Sequence, residues 1–163
     1  MTRDDLTIKR DRMRYTKDKT SSRLVLLAIV LDALYFVSIY KSDVGSYFYN
    51  WVIGASIVYN LLFMLFAFLA SEGVKSRKNG YTPALLVLGV LQVVRIFYLP
   101  ARAHAATIAI KGEEFVVMGT RQYVFVVVCL AVSAVCCIAA AVISHINNKN
   151  LSEHMKSIEN NAA

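Results

Sequence analysis

Long apolar runs alternate with short polar ones along the chain. Four runs stand out, at 24–40, 51–70, 83–99 and 123–146. They are 17, 20, 17 and 24 residues long. An α-helix rises about 1.5 Å per residue and a bilayer core is about 30 Å thick, so runs of this length suit helices that cross it. The apolar residues are clustered rather than spread periodically, which points to lipid instead of a soluble core. The pattern predicts an all-α integral membrane protein, a four-transmembrane-helix bundle with short loops and one longer outer loop. Three parts follow: an arm at 1–23, the membrane domain at 24–146 and a polar tail at 147–163.

The connecting segments add local signals. Thr20, Ser21 and Ser22 offer N-cap hydroxyls before the first span. Thr82 followed by Pro83 reads as a cap and a first helical residue. Pro100 ends or kinks the third span, with room for the helix to run on to Ala106. Within the long loop, 107–110 and 115–118 read as two extended runs around 111–114. A small hairpin on the membrane surface is expected there. Past residue 146, Leu151, Met155 and Ile158 recur at helical spacing, which predicts a weak amphipathic helix.

The polar exceptions inside the runs carry the candidate chemistry. Asp32, Asn60, Gln92, Arg95 and the pair Cys136 and Cys137 all lie roughly 12 to 18 Å from one membrane face, counted along helices. Such residues face the bundle interior and bond one another. A charge at mid-membrane costs about 2.5 to 3.5 kcal/mol even on the lenient insertion scale. Asp32 is therefore expected to meet Arg95, with Asn60 and Gln92 completing an intramembrane polar network. Gln92 and Arg95 share a helix face because they are three residues apart. Two readings compete with the pair. Arg95 can snorkel outward, four residues before Leu99, or Asp32 can be held protonated by burial. Ser56, Asn60, Ala67 and Ser71 form a small, polar stripe on the second span. Ser133, Cys137 and Ala141 recur every four residues on the fourth, a helix-packing stripe, with Cys136, Ala140 and Ser144 beside them.

Composition agrees with this class. The chain is 57% hydrophobic and 18% charged, with mean hydropathy +0.51. Soluble domains sit nearer 45–50% apolar and about 25% charged. The net charge of +7 raises nucleic acid as a partner, but the positive charge borders the apolar runs. Topology control and anionic lipid at the basic arm explain it better. The arm at 1–23, the loop at 71–81 and the tail carry thirteen Lys and Arg, against four (Lys41, Arg102, Lys111, Arg121) on the other side. Both termini are expected in the cytoplasm. Tyr40, Tyr47, Phe48, Tyr49 and Trp51 then form an aromatic belt at the outer interface. No cleavable leader and no lipidation motif is read at the ends.

Catalytic and metal motifs are absent from the sequence. His104, His145 and His154 are scattered, and the three cysteines share one apolar run without metal-ligand spacing. Glu113 and Glu114 read as solvated turn residues. No Ser-centred elbow, P-loop or dinucleotide fingerprint appears. No cofactor, metal or enzymatic activity is expected. The expected function is that of a non-catalytic subunit or accessory of a larger membrane complex, of transporter or channel type, in the plasma membrane. Partners are the bilayer and other subunits, in a hetero- or homo-oligomer. The alternative is a small oligomeric transporter or channel that uses Asp32 and Arg95. A lipid-acting enzyme is a third, weaker reading.

Overall fold

The computed structural model describes residues 17–40, 51–78, 80–110 and 113–160, with Ile8 and Val44 as single residues. Most of the basic arm, the aromatic group at 47–49, Lys41 and Lys111 lie outside the described residues. Four helices form the body: α1 (Lys19–Tyr40), α2 (Trp51–Lys75), α3 (Tyr81–Ala105) and α4 (Thr120–Asn160). Each is long and apolar enough to cross a membrane. A two-stranded sheet of β1 (Thr107–Ile110) and β2 (Glu113–Val116) links α3 to α4. α1 packs on α2 and α4, and α3 packs on the same two, so α1 and α3 face each other across the bundle.

All four helices run past the apolar runs that announce them. α1 begins at Lys19 because Asp18 caps it. The Asp18 carboxylate accepts the Ser21 backbone N–H at 3.2 Å and the Ser21 hydroxyl at 2.8 Å. Thr20, Ser21 and Ser22 lie inside the helix, so none of them is the cap. α2 continues to Lys75, where Arg77 adopts a left-handed conformation at φ 53°. The Lys78 N–H reaches the Gly73 carbonyl and the Arg77 N–H reaches Val74, the bond pattern that closes a helix C-terminus. The Asp18 N–H also donates to the Lys75 carbonyl at 3.2 Å. One residue thereby caps the start of α1 and the end of α2.

α3 differs from its sequence reading at both ends. It starts at Tyr81 without a side-chain cap, and Thr82 instead shares a 3.0 Å hydrogen bond with Ser144 on α4. Pro100 does not end it. Proline removes one N–H but leaves the last turn intact, and the buried Leu99, Pro100 and Ala103 hold that turn against the core. α4 is a single helix of 41 residues, about 60 Å long. With no Gly or Pro between Arg121 and Asn160, nothing breaks it, and the tail becomes its continuation.

The hairpin pairs antiparallel, with Ile110 opposite Glu113 and Thr107 opposite Val116. Its second strand starts two residues earlier than 115–118, because a two-residue link is the favoured hairpin connection. Val117 and Met118 leave the sheet and enter the bundle end, where Met118 is fully buried. The Val117 N–H bonds the Ala106 carbonyl, His104 Nδ1 lies 3.1 Å from the Met118 carbonyl, and the His104 ring stacks on Tyr123.

Two apolar clusters fill the interior. The first includes Val25, Ala28, Phe63, Leu88 and Cys137, and the second includes Tyr35, Ile53, Leu99, Val126 and Leu130. On every helix a buried polar residue falls between them: Asp32, Asn60, Gln92 with Arg95, and Ser133. The outer faces carry exposed Val30, Leu34, Leu61, Phe66, Val94 and Val135. A polar layer within the core and a largely apolar outer face differ from a soluble bundle, whose outer face is polar.

Two glycines let helices or their ends meet closely. The Tyr81 ring lies on Gly73 where a side chain would project. Gly89 faces α4, where an added Cβ would come within 2.7 Å of Ile138 and 3.4 Å of Cys137.

Candidate functional site

The polar layer is a network with one centre. Arg95 Nη1 lies 2.7 Å from Asp32 Oδ1, with Asp32 fully buried and Arg95 only 6% exposed. Gln92 Nε2 donates to the same carboxylate oxygen at 3.0 Å. The other guanidinium nitrogen, Nη2, donates to Asn60 Oδ1. Gln92 Nε2 is also 3.4 Å from Ser133 Oγ, and Ser133 donates to the Ala28 carbonyl at 3.1 Å. Asp32 comes from α1, Asn60 from α2, Gln92 and Arg95 from α3, and Ser133 from α4. One group of bonds therefore spans all four helices.

Helix geometry delivers these residues. Gln92 and Arg95 point the same way from α3 because they are nearly one turn apart. α1 stands diagonally opposite, so the long Arg95 side chain crosses the interior to reach Asp32. The guanidinium lies against the Tyr35 ring at 4.2 Å and the Tyr59 ring at 4.9 Å. Aromatic faces attract a cation, and more so where water is excluded. Arg95 does not extend toward its own helix end. It is turned inward onto a neutralising partner, and both donors on Asp32 Oδ1 suit an ionised carboxylate. Asp32 Oδ2, Gln92 Oε1 and Asn60 Nδ2 are among the buried atoms near the pair that have no hydrogen-bond partner among the described residues.

The structure places the remaining sequence candidates elsewhere. Cys136 and Cys137 belong to the apolar cluster, and Ser133 supplies the polar group of α4 in their stead. Ser133, Cys137 and Ala141 face inward and are buried by the chain's own helices. Cys137 packs beside Gly89 of α3, and Ser133 bonds α1. This small-residue stripe is used within the bundle. Ser71 on α2 is likewise buried and shares a 2.9 Å hydrogen bond with Ser22. Among the described residues no group of three or more His, Cys, Asp or Glu comes together.

Three participants escape sequence reasoning. Tyr35 and Tyr59 look like ordinary aromatic span residues, although each adjoins a polar-layer residue on its own helix. Asp18 was readable only as a residue type that favours N-caps, since it stands six residues before the run at 24–40. Its carboxylate also accepts Asn147 Nδ2 at 2.9 Å, tying α4 to the ends of α1 and α2. Burial pushes the Asp18 carboxyl up. The hydrogen bonds from Asn147 and Ser21, with the nearby Arg77 charge, outweigh that and hold it below the ordinary value.

The fold and site define a class: a four-helix bundle of membrane-spanning length, cross-tied by one buried ion pair. Comparison of the chain with protein-family models, with curated proteins and with solved structures finds no match in any of the three.

Proposed function

We propose that the chain is a non-catalytic subunit or accessory of a larger membrane complex, of transporter or channel type. It sits in the plasma membrane with both termini in the cytoplasm. The observation that carries this reading is the enclosure of Asp32 and Arg95 by all four helices and two tyrosine rings. A pair enclosed this way ties helices together. A pair that handles a permeating species needs water at its side. α4 supplies the room for a partner. It runs about 20 Å beyond Ile146. Past Asn147 it makes no hydrogen bond or ion pair to another described element. The charge asymmetry of the loops supports the orientation.

A second reading has its own support. Asp32 Oδ2 and Gln92 Oε1 are buried acceptors without partners among the described residues, and such atoms suit a proton or cation relay in a small oligomeric transporter. Purification in mild detergent from native membranes separates the readings. A stoichiometric, different polypeptide is expected to accompany the chain. A self-oligomer whose transport activity is lost in Asp32→Asn would favour the second reading, and a partner-free monomer would overturn the first.

A further inference from the structure

α3 begins at Tyr81, but α4 runs on beside and beyond it. Thr82 bonds Ser144, so the two helices are level there. Lys149 and Ser152 lie about 7 and 12 Å further along α4, past the first turn of α3. An open cavity of about 690 Å³ occupies the corner that this step leaves, with walls from both helices. The volume falls within the usual range for ligand sites, roughly 300–1,000 Å³. Its lining changes along the helix axes. Leu86 and Val142 line it toward the bilayer middle, and both are about half exposed on the apolar outer face. His145 and Ile146 follow, and Lys149 and Ser152 line it beyond the last apolar turn.

We propose that this cavity holds one anionic phospholipid of the leaflet at this end of the bundle, its phosphate at Lys149 and one acyl chain along Leu86 and Val142. Position and charge select that occupant. A cleft that is apolar toward the bilayer middle and polar beyond it matches a molecule with its tail in the hydrocarbon and its head at the surface. Lys149 supplies a formal positive charge. The start of α3 adds a partial one, since its first turn has no side-chain cap. Among the described residues no acidic side chain lines the cavity, so the ammonium of a zwitterionic head finds no carboxylate there. Glu153 lies 3.8 Å from Lys149, but both are exposed, and such a pair competes weakly with a phosphate. This assignment requires the bundle to span a membrane and holds for either functional reading.

The test uses the full chain in uncharged detergent micelles and three probes: dioctanoyl phosphatidylglycerol, dioctanoyl phosphatidylcholine and glycerol phosphate. Thermal unfolding is followed as each is titrated. Phosphatidylglycerol is expected to raise Tm saturably, while the other two raise it little. Lys149→Gln is expected to weaken that response about fivefold. Glu153→Gln frees Lys149 and is expected to strengthen it. Leu86→Trp fills the cavity and is expected to abolish it. All three positions are exposed, so each variant is expected to fold with a lipid-free Tm near that of the wild type. An equal rise with phosphatidylcholine or with glycerol phosphate would overturn the proposal. So would a weaker response in Glu153→Gln, or a response untouched by Lys149→Gln and Leu86→Trp, as binding at the basic arm would give.

Discussion

Arg95 gives its two terminal guanidinium nitrogens to different helices, one to Asp32 on α1 and one to Asn60 on α2. A lysine has a point charge and cannot reproduce that fork. Arg95→Lys is therefore expected to lose the Asn60 bond and keep the Asp32 attraction. Arg95→Ala leaves a buried carboxylate alone, at a cost of about 3–5 kcal/mol. Unfolding in mild detergent should rank the three proteins wild type, Lys, Ala. Asp18 behaves differently because its carboxyl is held low by its partners. Its contribution is present above the ordinary carboxylate value of about 3.9 and fades as pH falls through the lowered folded-state value. Asp18→Ala should cost about 1–2 kcal/mol at neutral pH. The gap between variant and wild type should shrink on acidification. At this scale the network's Asp, Asn, Gln and Arg members were legible, because these side chains are expensive in lipid. Tyr35 and Tyr59 were not, because a tyrosine in an apolar run fits many roles.

The elements end where hydrogen bonds end, not where apolarity does. Hydropathy located all four helices but stopped α2 at 70 and α4 at 146, since polar residues are satisfied outside the apolar layer while still helical. The closing turn at Gly73 to Lys78 and the Asp18 cap are built from local bonds, whereas the Asp18 N–H bond to the Lys75 carbonyl joins two distant segments, which no local pattern displays. Gly73 gives a test of these ends. Gly→Ala inside a helix normally gains roughly 0.5–1 kcal/mol. Here the new methyl collides with the Tyr81 ring, and overpacking costs about 1–3 kcal/mol. Gly73→Ala is expected to lower Tm in the wild-type background and to raise it beside Tyr81→Ala. A loss of equal size in both backgrounds would show that the ring contact is not the cause.

In the whole molecule, two apolar clusters enclose a polar layer to which every helix contributes a group. That arrangement fixes helix register, because sliding any helix by a turn withdraws its polar residue from the layer into an apolar cluster. The projecting part of α4 is the feature assigned to a partner. Removing residues 151–163 is expected to leave the Tm of the bundle within a few degrees, since the Asn147 bond to Asp18 remains. Under the accessory reading it should also reduce recovery of the partner in mild-detergent purification. The central claim is that Asp32 and Arg95 stabilise the bundle through each other. A double-mutant cycle of Asp32→Asn and Arg95→Gln, read by unfolding free energy in one detergent, measures that directly. Each single substitution should be costly and the double much milder than their sum, with a coupling energy of about 1.5 kcal/mol or more. Effects that add to within about 0.5 kcal/mol would contradict it.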